Sequence, residues 1–210
     1  LDREPNFEGS WHLHTFIPAE KLAVQFNKPE TEIHDILNRC HQPLFAERSK
    51  RKAPGCDEKI LTSWNALMIR AMTLAGRTFE NPGYIDSANA ALDFLHTHLW
   101  QNHRLLATSK DGKSHLNAYL DDYAYLLLAL LECLQTEWRN EHLNWAIEIA
   151  DTLLDYFEDS QQGGFYFTSH DHEQLIQRSK SFADDAIPSG NGIAALALQT
   201  GAMLWQREIS

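Results

Sequence analysis

The chain has 210 residues, of which 43% are hydrophobic and 22% charged, and its formal net charge at pH 7 is −11. This composition excludes disordered and fibrous proteins and allows one or two globular cores. The negative charge argues against nucleic-acid binding, which needs a clustered basic surface. The longest apolar run, residues 123–131, is shorter than the roughly 20 residues of a membrane span, so we predict no membrane partner.

The three cysteines, Cys40, Cys56 and Cys133, are widely spaced and form no Cys-x-x-Cys pair. They indicate neither a disulfide framework nor a thiol redox motif. The first residues lack the order of a signal peptide, so a cytoplasmic location is expected. Because the chain does not begin with Met, we expect it to be a piece of a longer protein.

Residues 1–57 predict an irregular segment followed by two helices. Residues 1–16 show no helical period and are expected to form a loop or short strand. Pro18 and Pro29 each open a helix, since proline is favoured in a first turn. Pro54-Gly55 ends this region.

From Lys59 the pattern becomes regular. Apolar residues at three- and four-residue steps predict a helix that ends at Gly76, and a second helix covers about residues 84–99. Asp111-Gly112 then predicts the turn of a β-hairpin. The order is therefore helix, helix, short hairpin.

The same order recurs from Leu120. Two further helices are predicted over residues 123–134 and 145–157, and residues 163–168 are expected to form a short strand that pairs with Leu175-Ile176. A last helix begins at residue 191 and continues to about residue 205.

A unit of about 60 residues that repeats indicates stacked helical hairpins. The first helix of the second unit is apolar nearly all round and should be an inner helix, while the amphipathic second helix should lie outside. We therefore predict an all-α protein, a partial (α/α) toroid of alternating inner and outer helices with short β-hairpins between helix pairs. The expected organisation is a single domain over residues 1–210, with an irregular segment and two helices in 1–57 and helical hairpins in 58–210.

Three polar clusters stand at the predicted starts of inner helices: Ser63-Trp64-Asn65, Asp121-Asp122-Tyr123 and Ser189-Gly190-Asn191. Helix N-termini present unpaired N–H groups and the positive end of the helix dipole, so several together would make a polar or anion-binding surface. We expect these clusters to converge on one pocket.

Several ordered motifs resemble the YyaL-type, spermatogenesis-associated family of thioredoxin-domain-containing proteins. They are NFEG at 6–9, RKAP at 51–54, DEKILTSWNALMI at 57–69, LDDYA at 120–124, GGFYFT at 163–168, and Arg178, Lys180, Asp184, Ala186 and PSGN at 188–191. The resemblance implies a six-hairpin toroid like those of N-acylglucosamine 2-epimerases and unsaturated glucuronyl hydrolases. It also implies that a thioredoxin-like domain and about half of the toroid are absent from this chain.

The acidic residues are the candidate catalytic groups. Asp122 at a pocket rim could act as a general acid or base in glycosidic or epimerase chemistry, with Asp184 or Asp185 as its partner. The alternative is helix capping, which needs no function.

The candidate ligand-binding residues come from all three clusters and two flanking segments. Trp64, Asn65 and Tyr123 could stack on a sugar and bind its hydroxyls, or they could belong to a capped helix with a core tryptophan. Ser189 and Asn191 are caps or ligand contacts. Arg178 and Lys180 share a face of a possible strand, which is either an anion site or solvated. His12 or His14 could act as an acid or base, and neither a metal nor a cofactor is predicted.

Two functions remain open. The first is carbohydrate-active chemistry, of the epimerase or glycoside hydrolase type, on a sugar-like ligand at the N-termini of the inner helices. The second is a non-catalytic helical scaffold that serves a thioredoxin-like domain in redox or protein-folding roles. Expected partners are the sugar-like ligand, the thioredoxin-like domain with the rest of the toroid, and a second copy that covers exposed apolar helix faces.

Overall fold

The computed structural model describes residues 3–11, 16–173 and 176–205. The chain divides into two compact units, Leu1–Asp57 and Glu58–Ser210. This boundary falls where the sequence divides the N-terminal helices from the helical hairpins, and the expectation of one toroid domain over the whole chain stays a prediction.

The first unit contains the two predicted helices, α1 (Ala19–Phe26) and α2 (Glu30–Ser49), which pack on each other. Each follows a proline in an extended conformation, Pro18 or Pro29, which fixes the direction in which the chain enters the helix. Asn27, in the left-handed conformation, ends α1.

The second unit contains five helices within the described residues: α3 (Thr62–Thr78), α4 (Pro82–Leu99), α5 (Leu120–Thr136), α6 (Asn140–Phe157) and α7 (Gly190–Trp205). Helix α5 packs between α3 and α7, while α4 packs on α3 and α6 packs on α5. Helix α5 is buried along almost its whole length, which confirms that its all-round apolar sequence belongs to an inner helix.

A small antiparallel sheet connects the two helix pairs. Its strands are β1 (Ile60–Leu61), β2 (Trp100–Gln101), β3 (Arg104–Lys110) and β4 (Lys113–Asn117), and β3 pairs with each of the other three. The turn between β3 and β4 places Asp111 and Gly112 at positive φ, 52° and 72°, which confirms the predicted hairpin.

Gly76 does not end α3 as predicted, because α3 continues to Thr78. A Cβ atom on Gly76 would lie 2.6 Å from Cγ1 of Ile85 on α4. The glycine therefore allows α3 and α4 to pack closely, and its role is in tertiary packing.

The strand predicted at residues 163–168 does not form. Gly163 and Gly164 both have φ 74°, which breaks an extended conformation, and Phe165 makes only an isolated bridge with Glu158. The backbone N–H of Phe167 bonds to the carbonyl of Ser179, whereas the expected partner Leu175 lies outside the described residues.

No helix in the described ranges is both long enough and apolar enough to cross a bilayer.

Candidate functional site at the helix N-termini

The three polar clusters lie in or next to the first turns of α3, α5 and α7, as predicted. Because α5 packs between α3 and α7, its N-terminus meets both neighbours. The α3–α5 junction is formed by Ser63, Tyr119 and Asp122, and the α5–α7 junction by Asp121, the segment 181–189 and the start of α7.

Asp122 closes the α3–α5 junction. Its Oδ1 accepts a hydrogen bond from the backbone N–H of Ser63 at 2.9 Å, and its Oδ2 accepts one from the N–H of Tyr119, also at 2.9 Å. The residue is only 4% exposed. Burial raises the pKa of Asp122 to about 6, although the two N–H donors act in the opposite direction. Both carboxylate oxygens are thus engaged by backbone groups, which is the capping role that the sequence left open.

The α5–α7 junction contains a cavity of about 160 Å³, called here the junction cavity. Its lining includes two carboxylates, one aromatic ring and the first residues of α7. The lining residues are Leu120, Asp121, Phe167, Ser181, Ala183, Asp185, Ile187, Pro188, Ser189, Gly190 and Asn191.

Asp121 lies directly against the N-terminus of α7. A Cβ atom on Gly190 would be 2.1 Å from Oδ1 of Asp121, so this contact requires glycine. Asp121 is half-buried, and burial raises the pKa of its carboxyl. The group that approaches Gly190 closely is thus the carboxylate of Asp121.

Asn191 holds the wall of the junction cavity in place. Its Oδ1 accepts from the N–H of Phe165 at 2.7 Å, and its Nδ2 donates to the carbonyls of Phe165 and Ser181, both at 2.9 Å. The side-chain amide thus replaces the ladder partner that the 163–168 segment lacks. Asn191 is buried, so these bonds are shielded from water.

Asp184 and Asp185 have different positions. Asp184 accepts a hydrogen bond from the N–H of Ser189 at 2.8 Å and fixes the entry to α7, whereas Asp185 is exposed and lines the junction cavity. The hydroxyl of Tyr125 donates to the carbonyl of Pro188. Burial, together with the charges of Asp121, Asp184 and Asp122, raises the pKa of Tyr125 to about 12. The beginning of α7 therefore lies in a negative local field.

Three predicted binding residues lie away from the junction cavity. Tyr123 is buried, and its hydroxyl oxygen accepts from the N–H of Leu105 at 2.9 Å, so it is part of the core. Asn65 donates to the carbonyl of Leu61 at 2.8 Å. Trp64 is 65% exposed on α3, which rules out the core tryptophan that the sequence left as an alternative.

Arg178 and Lys180 hold the loop that precedes them in the chain. Lys180 donates to Oδ2 of Asp159 at 2.7 Å, and this ammonium group keeps the pKa of Asp159 well below its usual range. Arg178 donates to the carbonyl of Thr168 at 2.5 Å and lies over the ring of Tyr166. Both cations thus already have partners within the protein, and neither lines the junction cavity.

His12 and His14 lie outside the described residues. Among the residues that are described, no group of three or more His, Cys, Asp or Glu side chains is placed to hold a metal ion.

Of the predicted site residues, the structure brings Asp185, Ser189 and Asn191 together in one cavity. Asp121 and Phe167 were not selected as site residues. The adjacent carboxylates and the aromatic GGFYFT segment signalled this region, but choosing Asp121 over Asp122 required knowing which neighbour each side chain faces.

Sequence comparison identifies relatives of the chain. It is 29% identical over 205 residues to spermatogenesis-associated protein 20 of Homo sapiens, covering 92% of this chain and 26% of that protein. The protein of the same name in Mus musculus is 26% identical over 206 residues, with the same two coverages. The chain spans about a quarter of the length of these curated relatives. No family model matches the chain.

Solved structures resemble the chain in fold. They include the cellobiose 2-epimerases of Spirochaeta thermophila DSM 6192 (TM-score 0.57, 20% identity, 71% of this chain and 39% of that one) and Bacillus thermoamylovorans B4167 (0.59, 16%, 72% and 41%). A family 105 glycoside hydrolase from C. acetobutylicum ATCC 824 has a TM-score of 0.58 at 13% identity, covering 90% of this chain and 56% of that one. These likenesses confirm the (α/α) toroid fold, and the homologues confirm the family resemblance.

Proposed function

We propose that this homologue of spermatogenesis-associated protein 20 binds a small sugar-like ligand in the junction cavity, where Asp121 and Asp185 act as an acid–base pair. The observation that carries the proposal is that two carboxylates and the ring of Phe167 line one cavity at the N-terminus of α7. Small-molecule sites combine an apolar wall with a few convergent polar groups in this way.

The lining suits a polyol. Carboxylates and serine hydroxyls accept hydrogen bonds from sugar hydroxyls, and Ser181 adds a donor. The hydroxyl of Ser189 donates to the carbonyl of Ser181 at 3.2 Å and offers a ligand only its acceptor sites. Phe167 stacks on Tyr119 with ring centroids 5.0 Å apart, which fixes its orientation as a wall for sugar C–H groups. The cavity volume of about 160 Å³ is below the roughly 300 Å³ of drug-sized sites, so we expect one monosaccharide-sized unit.

The two carboxylates have the different environments that acid–base chemistry uses. Burial raises the pKa of Asp121 and favours its protonated form, while Asp185 is exposed to water. Asp121 would donate a proton and Asp185 would accept one. Epimerisation and glycoside hydrolysis both need such a pair, and the names of the solved toroids include both reactions.

The other predicted carboxylates would act as positioning residues in this proposal. Asp122 holds the beginning of α5, and with it the backbone of its neighbour Asp121. Asp184 holds the N–H of Ser189.

The non-catalytic scaffold is the second candidate, and one observation favours it. The polar groups of Asp122, Asn191 and Lys180 all form hydrogen bonds within the protein. A scaffold needs such internal connections and no free reactive group.

A panel of sugars and sugar acids, screened by thermal shift on the 210-residue chain, tests the proposal. A true ligand should raise the Tm of the wild type by a few degrees, and Asp121→Asn should lose the shift. Asp111→Asn, the same chemical change at the exposed hairpin turn, is the matched control and should keep it. If no compound shifts the wild type, or if Asp121→Asn responds like the control, the ligand proposal fails; the first result favours the scaffold.

A further inference from the structure

We propose that a cavity between α4 and α6, called here the outer cavity, binds a small free amino acid. The carboxylate of this ligand would lie at the first turn of α6, and its ammonium group at Asp93 and Glu141. Helices α4 and α6 are the ones that cover α3 and α5, and the outer cavity shares no lining residue with the junction cavity. The inference is therefore independent of the ligand proposed there.

The outer cavity has a volume of about 210 Å³ and is lined by residues of both helices. This volume is below the roughly 300 Å³ of drug-sized sites, so the ligand must be small. On α4, Asp93 and His96 are three residues apart and therefore share one face of the helix. The ring of His96 packs edge-on against Trp145 of α6, with ring centroids 4.7 Å apart, and this contact fixes the orientation of the indole.

Two buried polar groups at the outer cavity have no partner. His142 is 7% exposed and Trp145 is 4% exposed. Within the described ranges, neither Nδ1 of His142 nor Nε1 of Trp145 has a hydrogen-bond partner. Buried polar groups of this kind are usually paired, and both side chains line the cavity. The indole N–H can only donate, so the group that would pair with it from the cavity is an acceptor.

The first turn of α6 adds further donors. Arg139 is the N-cap residue, and its side chain makes no capping bond, so the first N–H groups of the helix lack a side-chain acceptor. The helix dipole also favours negative charge at this end. Arg139 donates from one terminal nitrogen to Glu137 at 2.7 Å, and a guanidinium has five N–H donors, so it can bind a second carboxylate. A ligand carboxylate would thus meet Arg139, Trp145 and the helix N-terminus together.

The same cavity also has a negative side, formed by the exposed carboxylates of Asp93 and Glu141. These two charges would repel a simple anion. A simple cation would instead lie near Arg139 and leave the indole N–H without an acceptor. A free α-amino acid carries an ammonium group and a carboxylate on one carbon, so it matches both sides of a small cavity.

Titration of the ¹⁵N-labelled 210-residue chain with glycine, L-alanine and L-serine tests the proposal by NMR. Trp145→Phe identifies the indole N–H signal of Trp145, because it removes that group and keeps an aromatic ring. We expect L-alanine to shift this signal saturably, with a Kd of about 1 mM. Propionate lacks the ammonium group and ethylamine lacks the carboxylate, so each should bind about tenfold more weakly or worse.

Asp93→Asn should weaken L-alanine binding about tenfold, because it removes a charge that faces the ammonium group. Asp86→Asn is the matched control: Asp86 is exposed on the same helix and does not line the cavity, so binding should stay within about twofold. Both positions are exposed, so calorimetry on this pair gives a result even if Trp145→Phe does not fold.

Three results would overturn the proposal. The first is the absence of binding by all three amino acids at about 10 mM. The second is propionate or ethylamine binding as tightly as L-alanine, which would make the cavity a simple anion or cation site. The third is equal L-alanine affinity for Asp93→Asn and Asp86→Asn.

Discussion

The α3–α5 and α5–α7 junctions are built from adjacent residues of one helix, yet the carboxylates at the two junctions have different surroundings. At the first, Asp122 is buried and both of its oxygens accept backbone N–H groups. At the second, Asp121 is half-buried against Gly190 and lines a cavity. Consecutive residues of an α-helix point about 100° apart, so a helix between two neighbours turns one carboxylate to each. A pair of adjacent acids can therefore divide into a structural residue and a candidate functional one.

The largest expected effect is at the wall of the junction cavity. Asn191→Ala leaves the buried N–H of Phe165 without its partner and should lower the free energy of unfolding by about 3 kcal/mol. Urea denaturation measures this loss. Asn65→Ala, which removes a single bond to the carbonyl of Leu61 near the other junction, should cost about 1 kcal/mol or less. Equal losses would contradict the view that Asn191 carries the cavity wall.

Glycines two positions apart on α7 provide the next test. Gly190→Ala forces Asp121 out of place and should cost about 2 kcal/mol. At Gly192 an added Cβ meets nothing within 4 Å, so Gly192→Ala should be neutral or stabilise the protein by up to about 1 kcal/mol. Thermal denaturation of the two variants measures the difference. If Gly190→Ala is as stable as Gly192→Ala, the close contact with Asp121 is not real.

The pH dependence of stability tests whether burial dominates the environment of the Asp122 carboxylate. Burial raises the folded-state pKa of Asp122 to about 6, above its ordinary value of 3.8. Its contribution to stability is therefore full below pH 4 and is lost as the pH rises through 6. The unfolding free energy of the wild type, measured relative to that of Asp122→Asn, should therefore fall by about 1–2 kcal/mol between pH 5 and 7.5. Chemical denaturation at several pH values measures it, and a constant or opposite trend would contradict the dominance of burial.

The smallest expected effect is at Asp121. Burial disfavours the charged form of Asp121, and no backbone N–H in the described part of the chain donates to its carboxylate. Asp121→Asn should therefore change the unfolding free energy by no more than about 0.5 kcal/mol at pH 7. The same urea titrations measure it. A loss as large as that of Asn191→Ala would make Asp121 a structural residue and remove the contrast between the junctions.

The helices of the second unit were predictable because their apolar periodicity is strong and their burial follows it. The (α/α) layering and the hairpin at Asp111-Gly112 were predicted for the same local reasons. Gly76 and the 163–168 segment were predicted wrongly, because their conformations depend on Ile85 and Asn191, residues distant in sequence or in another helix.

The candidate site was predictable only as a region. The caps indicated where the helices begin, and Asp185, Ser189 and Asn191 do meet there. Which carboxylate faces water, and which cations are already paired, depends on helix packing and on the path of the loop through Thr168. Neither the helix packing nor the path of this loop can be predicted from the local sequence.

The bonds between Asn191 and Phe165 also make the junction cavity depend on the docking of α7. They join groups 26 residues apart, so Phe165 in the glycine-rich loop gains its bonds to the amide of Asn191 when α7 docks against α5. Until then Phe165 lacks these bonds, although the backbone bonds that join Gly163 and Gly164 to Asp159 do not involve α7. The junction cavity therefore exists only while α7 is docked, and transient undocking of this one helix would dismantle it.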